Sequence, residues 1–141
     1  MFGKALLLGI ITAVFSSFGA ILYGNFYNTN LFDFSMVIGP VSIVTVCVII
    51  SVLAAFGFWL SERVFKSWGE FVFNLLFCLG TMGSILSPIN FQFPPAILEQ
   101  VHAVNGVDTE MFFPIYAIPM HFFPVLVWMT FKPLFYRKRL A

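Results

Sequence analysis

His121 stands in an otherwise apolar run, Ile118-Pro119-Met120-His121-Phe122-Phe123-Pro124. An ionisable side chain at membrane depth is costly, and by default it marks a functional site. Neutral imidazole there can ligate a metal or haem, hydrogen-bond a quinone oxygen or relay a proton. The structural alternative is a hydrogen bond to a Ser or Asn on a neighbouring helix. The prolines around it bear on the same chemistry. Pro119 has no N–H for the carbonyl of Ile115, and Pro124 has none for that of Met120. Inside a membrane a freed carbonyl must find a neighbour, water or a ligand. With Pro114, these prolines recur at five-residue intervals. The segment is therefore expected to kink, either to shape a cavity or simply to bend, as many membrane helices do.

Asn74 is the second polar residue expected inside an apolar stretch. It is either part of a ligand site with His121, Pro119 and Pro124, or glue between helices. Asn90, Gln92, Glu99 and His102 form a looser group, either the rim of an outward-opening pocket or a solvated loop. A haem held by His102 and His121 would need that loop to fold back onto the helix. Cys47 and Cys78 each lie in an apolar run without a partner at metal-ligand spacing, so both are expected to be buried free thiols. No metal, cofactor or catalytic motif is read from the sequence, and the chain is expected not to be an enzyme.

These residues need elements to carry them, and composition says what kind. The chain has 141 residues, of which 60% are hydrophobic and 9% charged. Soluble domains carry about 25% charged residues. Water would not tolerate this much apolar surface on a chain of this size, so the bilayer is the expected solvent. Four stretches reach the roughly 20 apolar residues that a spanning helix requires: 5–23, 36–60, 71–89 and 112–131. The expected fold is an all-α, four-helix transmembrane bundle forming one domain, residues 1–141, with helix four kinked by its prolines. Lys4 and the apolar stretch after it also have the layout of a signal peptide, with Ser17 and Gly19 as the small pair. Because the stretch continues to Tyr23, it is read as a retained helix. The outer loop, 90–111, contains Pro94-Pro95, and Ala96, Ile97, Val101 and Val104 could share one face of a short surface helix.

Charge sets the expected orientation. With four spans, Lys4, Arg63, Lys66, Lys132, Arg137, Lys138 and Arg139 fall on one side, and Asp33, Glu99, Asp108 and Glu110 on the other. The positive-inside rule makes the basic side cytoplasmic. Both termini are then cytoplasmic, in a multi-pass protein of the plasma (inner) membrane. Trp59, Trp68 and Trp128 are expected near the cytoplasmic interface, with Tyr23 and Tyr27 near the other. Glu62 and Lys66 are spaced to pair on a helix. The tail from Tyr136 to Arg139 could touch anionic lipid heads.

Helices in lipid associate by close packing, which small residues permit. Gly9, Ala13 and Ser17 share one face of helix one, and Gly80 with Ser84 form a small pair on helix three. Helices one and three are therefore expected among the closest contacts, unless the stripes serve a dimer. The leading functional expectation is an accessory or interaction component of the bilayer, with protective or exclusion proteins as a subclass. The alternative is a binding protein or carrier for a small apolar ligand such as a quinone or lipid. Expected partners are membrane lipids and either another membrane protein or a second copy. No basic stripe suited to nucleic acid is present.

Overall fold

In hydrocarbon every backbone N–H and C=O must be satisfied within the chain, which selects helices for long apolar stretches. The computed structural model of the protein describes residues 2–136. Six α-helices run in order: α1 Phe2–Asn30, α2 Pro40–Phe65, α3 Gly69–Ser84, α4 Leu86–Ile89, α5 Pro95–Asn105 and α6 Phe113–Phe135. Short 3-10 turns, Lys66–Trp68 and Thr109–Phe112, lead into α3 and α6. Among the described residues there is no strand. Three helical stretches are long and apolar enough to cross a membrane: Phe2–Asn30, Pro40–Ile89 and Thr109–Phe135. Their outward faces carry exposed Phe18, Phe26, Leu53 and Leu126, a surface suited to hydrocarbon.

The middle stretch doubles back on itself. Lys66 takes a φ of 49°, which ends α2. Gly69 then packs onto the last turn of α2, where an added Cβ would lie 2.5 Å from both the Glu62 Cα and the Ser61 carbonyl oxygen. Only glycine allows that approach. The Phe58 and Phe73 rings meet edge to face at 5.2 Å across the resulting hairpin.

Around the bundle the order is α1, α2, α3, α6. α1 packs on α2 and α6, and α3 packs on the same two helices. At one end Ala5, Leu8, Ala54, Ala55, Phe58, Phe73 and Trp128 form a core cluster. At the other, Tyr27, Phe34, Val101, Phe113, Tyr116 and Ala117 form a second.

The helix bounds differ from the apolar runs for local reasons. α1 passes Tyr23 and continues to Asn30 because Tyr23 and Tyr27 anchor that segment on α6. α2 starts at Pro40, after an extended Gly39, because proline suits the first helical position. α3 stops at Ser84, since Pro88 has no N–H for the Ser84 carbonyl. α5 turns Val101 inward and half-buries Ile97, whereas Ala96 and Val104 face outward, so the expected four-residue face is halved.

Several packing expectations are corrected. α1 and α3 are diagonal, not adjacent, because the tight α2–α3 hairpin and the tyrosine anchors on α6 take up the neighbouring places. Gly9 instead faces α2, its missing Cβ 3.0 Å from the Ala55 Cβ and the Ser51 carbonyl oxygen. Ala13 and Ser17 are buried on the same side of α1. An added Cβ at Gly80 would meet no neighbour within 4 Å among the described residues, so Gly80 makes no close helix contact. Trp128 is fully buried, packed on Phe58, Phe73 and Phe77 beside Ala5, Ala54 and Ala55. Cys47 is buried but Cys78 is exposed, and both thiols are free. Glu62 and Lys66 do not pair, because the helix ends between them; Glu70 pairs with Lys132 instead. Arg137, Lys138 and Arg139 lie outside the described residues.

Candidate site at His121

α6 turns His121 toward α3, with its ring half-buried. The imidazole Nδ1 lies 2.9 Å from the Ser84 hydroxyl. Ser84 occupies that place because α3 ends there. Its hydroxyl also donates to the Thr81 carbonyl, one turn back, at 2.7 Å. Below α3, α4 leans onto α6 and touches no part of α2. The two arms of the hairpin therefore diverge, and space opens between α2 and α6.

That space is two cavities. One, of about 210 Å³, lies among Ala20 of α1, Ile43, Val46 and Cys47 of α2, and Ala117 and Met120 of α6. The other, of about 390 Å³, lies among α2, α3 and α6, with Phe73, Phe77, Thr81 and Ser84 in its wall. Ile50, His121 and Pro124 line both. His121 is thus the polar group at the boundary of two largely apolar spaces. Small-molecule sites have this character: concave, mostly apolar, with few polar groups that set orientation.

The other residues singled out from the sequence are placed as follows. Pro124 stands beside His121 in both walls, and Met120, whose carbonyl it cannot serve, lines the smaller cavity. Pro119 lines neither, and the carbonyl it frees, that of Ile115, accepts a hydrogen bond from the Tyr23 hydroxyl at 2.8 Å. Gly80 borders the larger cavity. Asn74 is at the opposite end of α3 and borders neither. Its Oδ1 accepts from Lys132 Nζ at 3.1 Å, while Glu70 Oε1 takes the same ammonium at 2.9 Å. Phe58 lies under that ammonium, 5.8 Å from ring centroid to Nζ.

Lys132 is a residue that sequence reasoning passed over. From the sequence it was placed only by its charge, on the basic side, and the structure leaves it 6% exposed. A charge so buried needs partners, and Glu70 and Asn74 one turn apart on α3 were the available signal. His102 and Glu110 pair at 2.7 Å and hold α5 to the turn before α6. Asn105 exchanges two hydrogen bonds with the Asp33 backbone, at 2.7 and 2.8 Å. Asn90, Gln92, Glu99 and His102 line neither cavity, and His102 is engaged far from Ser84 and His121. Among the described residues no three His, Cys, Asp or Glu side chains converge as metal ligands would.

No family model matches the chain, and neither a curated protein nor a solved structure matches it.

Proposed function

We propose that the protein holds a small apolar ligand, of quinone or lipid type, in the space around His121 formed by the two cavities that meet there. The observation that carries this reading is His121, shared by the walls of two cavities and oriented by Ser84. A histidine serving only to join helices needs no cavity on either side.

The same proposal includes four crossings of the inner (plasma) membrane with both termini cytoplasmic. In support, α3 with α4 extends about 30 Å at roughly 1.5 Å per residue, close to the hydrocarbon thickness. Arg63, Lys66 and Lys132 lie at helix ends near the hairpin, as does Lys4 at the start of α1, whereas Asp33, Glu99, Asp108 and Glu110 lie toward the other end. Bilayer lipids would be the immediate partners.

The test is native mass spectrometry of the full chain released in mild detergent, with an absorption spectrum of the same sample. A homogeneous added mass, lost in His121→Ala with the helical circular dichroism unchanged, is the expected result. Equal added mass in the variant, or none in either, would overturn it.

A second reading keeps the protein as an accessory component bound to another membrane protein, including the protective type, or to a second copy. The exposed Gly83 of α3, with open space beside it, favours it. Crosslinking in membranes from an exposed α3 position would recover one defined partner. A strictly monomeric, uncrosslinked species would count against it.

A further inference from the structure

The single hydrogen of Ser84 decides what His121 can offer a ligand. A serine hydroxyl has one hydrogen to donate. Ser84 gives it to the Thr81 carbonyl oxygen, which can only accept, at 2.7 Å. The two contacts share that one hydrogen: with it on the Thr81 bond, the Ser84 oxygen accepts from His121 Nδ1 at 2.9 Å. The ring hydrogen of His121 then sits on Nδ1. Charging the ring in hydrocarbon would be costly, so the imidazole is neutral, with one N–H and one lone pair. The lone pair is then on Nε2, while the ring's contact with Ser84 is at Nδ1. In the wall of the smaller cavity Met120 adds a second acceptor, a carbonyl that Pro124 cannot serve, and Ser42 of α2 a hydroxyl.

We infer that the site selects an apolar molecule whose head donates a hydrogen bond, an alcohol or a quinol, over the matching ether or carbonyl compound. This inference rests on the ligand-binding reading above. The hydroxyl hydrogen points to Nε2, and the tail lies along Ile43, Val46 and Ile50. An oxidised quinone would set a carbonyl lone pair against that of Nε2 and leave Nε2 unpaired. Ser84 acts here as a positioning residue, since it selects the tautomer without needing to touch the ligand.

The experiment uses the full chain in nanodiscs, labelled with ¹⁵N-histidine, as the His102→Gln variant. His121 is then the lone histidine. The ¹⁵N spectrum is expected to show the hydrogen on Nδ1 and an unprotonated Nε2. Adding 1-dodecanol should shift the Nε2 resonance. Its methyl ether, with the same tail and no donor, should bind at least about tenfold more weakly, the size of one hydrogen bond to a buried group. A decyl-quinol and its oxidised quinone form a second pair. Preference for dodecanol over the quinol names a lipid alcohol as the source, and the reverse names a quinol. Ser84→Ala should narrow the alcohol-over-ether ratio while the helical signal stays unchanged.

A hydrogen on Nε2 in the unligated protein would overturn the inference. So would equal binding of alcohol and ether, which would leave the ligand-binding reading standing. Binding of neither pair would overturn both.

Discussion

The Tyr23 hydroxyl on α1 donates to the Ile115 carbonyl on α6 at 2.8 Å, and Ile115 is the residue whose carbonyl Pro119 leaves without an N–H. The proline creates the acceptor, and the tyrosine, one turn before Tyr27 at the same interface, satisfies it. Removing the donor alone should therefore cost more than removing donor and proline together. Tyr23→Phe is expected to lower stability by about 1 kcal/mol. Pro119→Ala in the same background should recover part of that loss, because the alanine N–H restores the intrahelical bond. Thermal melting in detergent across the double-mutant cycle checks this, and additive losses would contradict it.

Gly69 is expected to be the least replaceable residue of the hairpin. An added methyl would sit 2.5 Å from backbone atoms of Ser61 and Glu62, and backbone cannot swing aside as a side-chain tip can. Gly69→Ala should destabilise by about 1–3 kcal/mol and separate the Phe58 and Phe73 rings. Gly80→Ala, with open space around it, should cost under about 0.5 kcal/mol on the same melting curves. Equal effects at the two glycines would refute the tight turn.

Lys132 supplies a third comparison. Its ammonium is buried, so removing a partner leaves an under-satisfied charge. Asn74→Leu should cost about 1–3 kcal/mol. Glu70→Gln should cost less, since the Glu70 side chain is 48% exposed and water can replace part of its interaction. Lys132→Met, which removes the charge and keeps the length, is expected to restore most of the stability lost in Asn74→Leu. Melting temperatures of the single and double variants decide the order.

Tyr136 gives an alkaline pH dependence. Burial first, and then the charge of Glu62, push its phenol up to about 12. The raised value means that the fold favours the neutral phenol. This contribution is complete below pH 10, the ordinary tyrosine value, and is lost as pH rises from 10 to about 12. The hydroxyl has no hydrogen-bond partner among the described residues. Tyr136→Phe should therefore leave stability near neutral pH unchanged and flatten its decline above pH 10. A steeper decline in the variant would contradict the assignment.

His121 and Pro124 were legible as candidates because a histidine and a proline in an apolar segment each break a rule that hydrocarbon imposes on any helix. The freed carbonyl of Ile115 was legible for the same local reason. Ser84 was legible only as a small residue for packing. Its pairing with His121 depends on where α3 ends and how α4 leans, and no spacing along the chain encodes that. The burial of Lys132 was not legible because a basic residue at the end of an apolar run looks the same whether it faces lipid heads or a neighbouring helix. The burial of Trp128 was not legible either, since its neighbours Phe58, Phe73 and Phe77 come from two other helices.

By itself the sequence determined that the chain is helical and suited to a membrane. That follows from composition and run length, and the hydrogen-bonding demand of the backbone in hydrocarbon acts on each segment separately. Tertiary structure alone decided which helices touch, that α1 and α3 do not, and that two cavities meet at one imidazole. The reason is physical. Lipid tails are as apolar as the helices, so no large solvent term ranks the possible pairings. The choice falls to close contacts such as Gly69 on Glu62 and to single hydrogen bonds such as Tyr23 to Ile115. Those small terms exist only once distant parts of the chain are side by side.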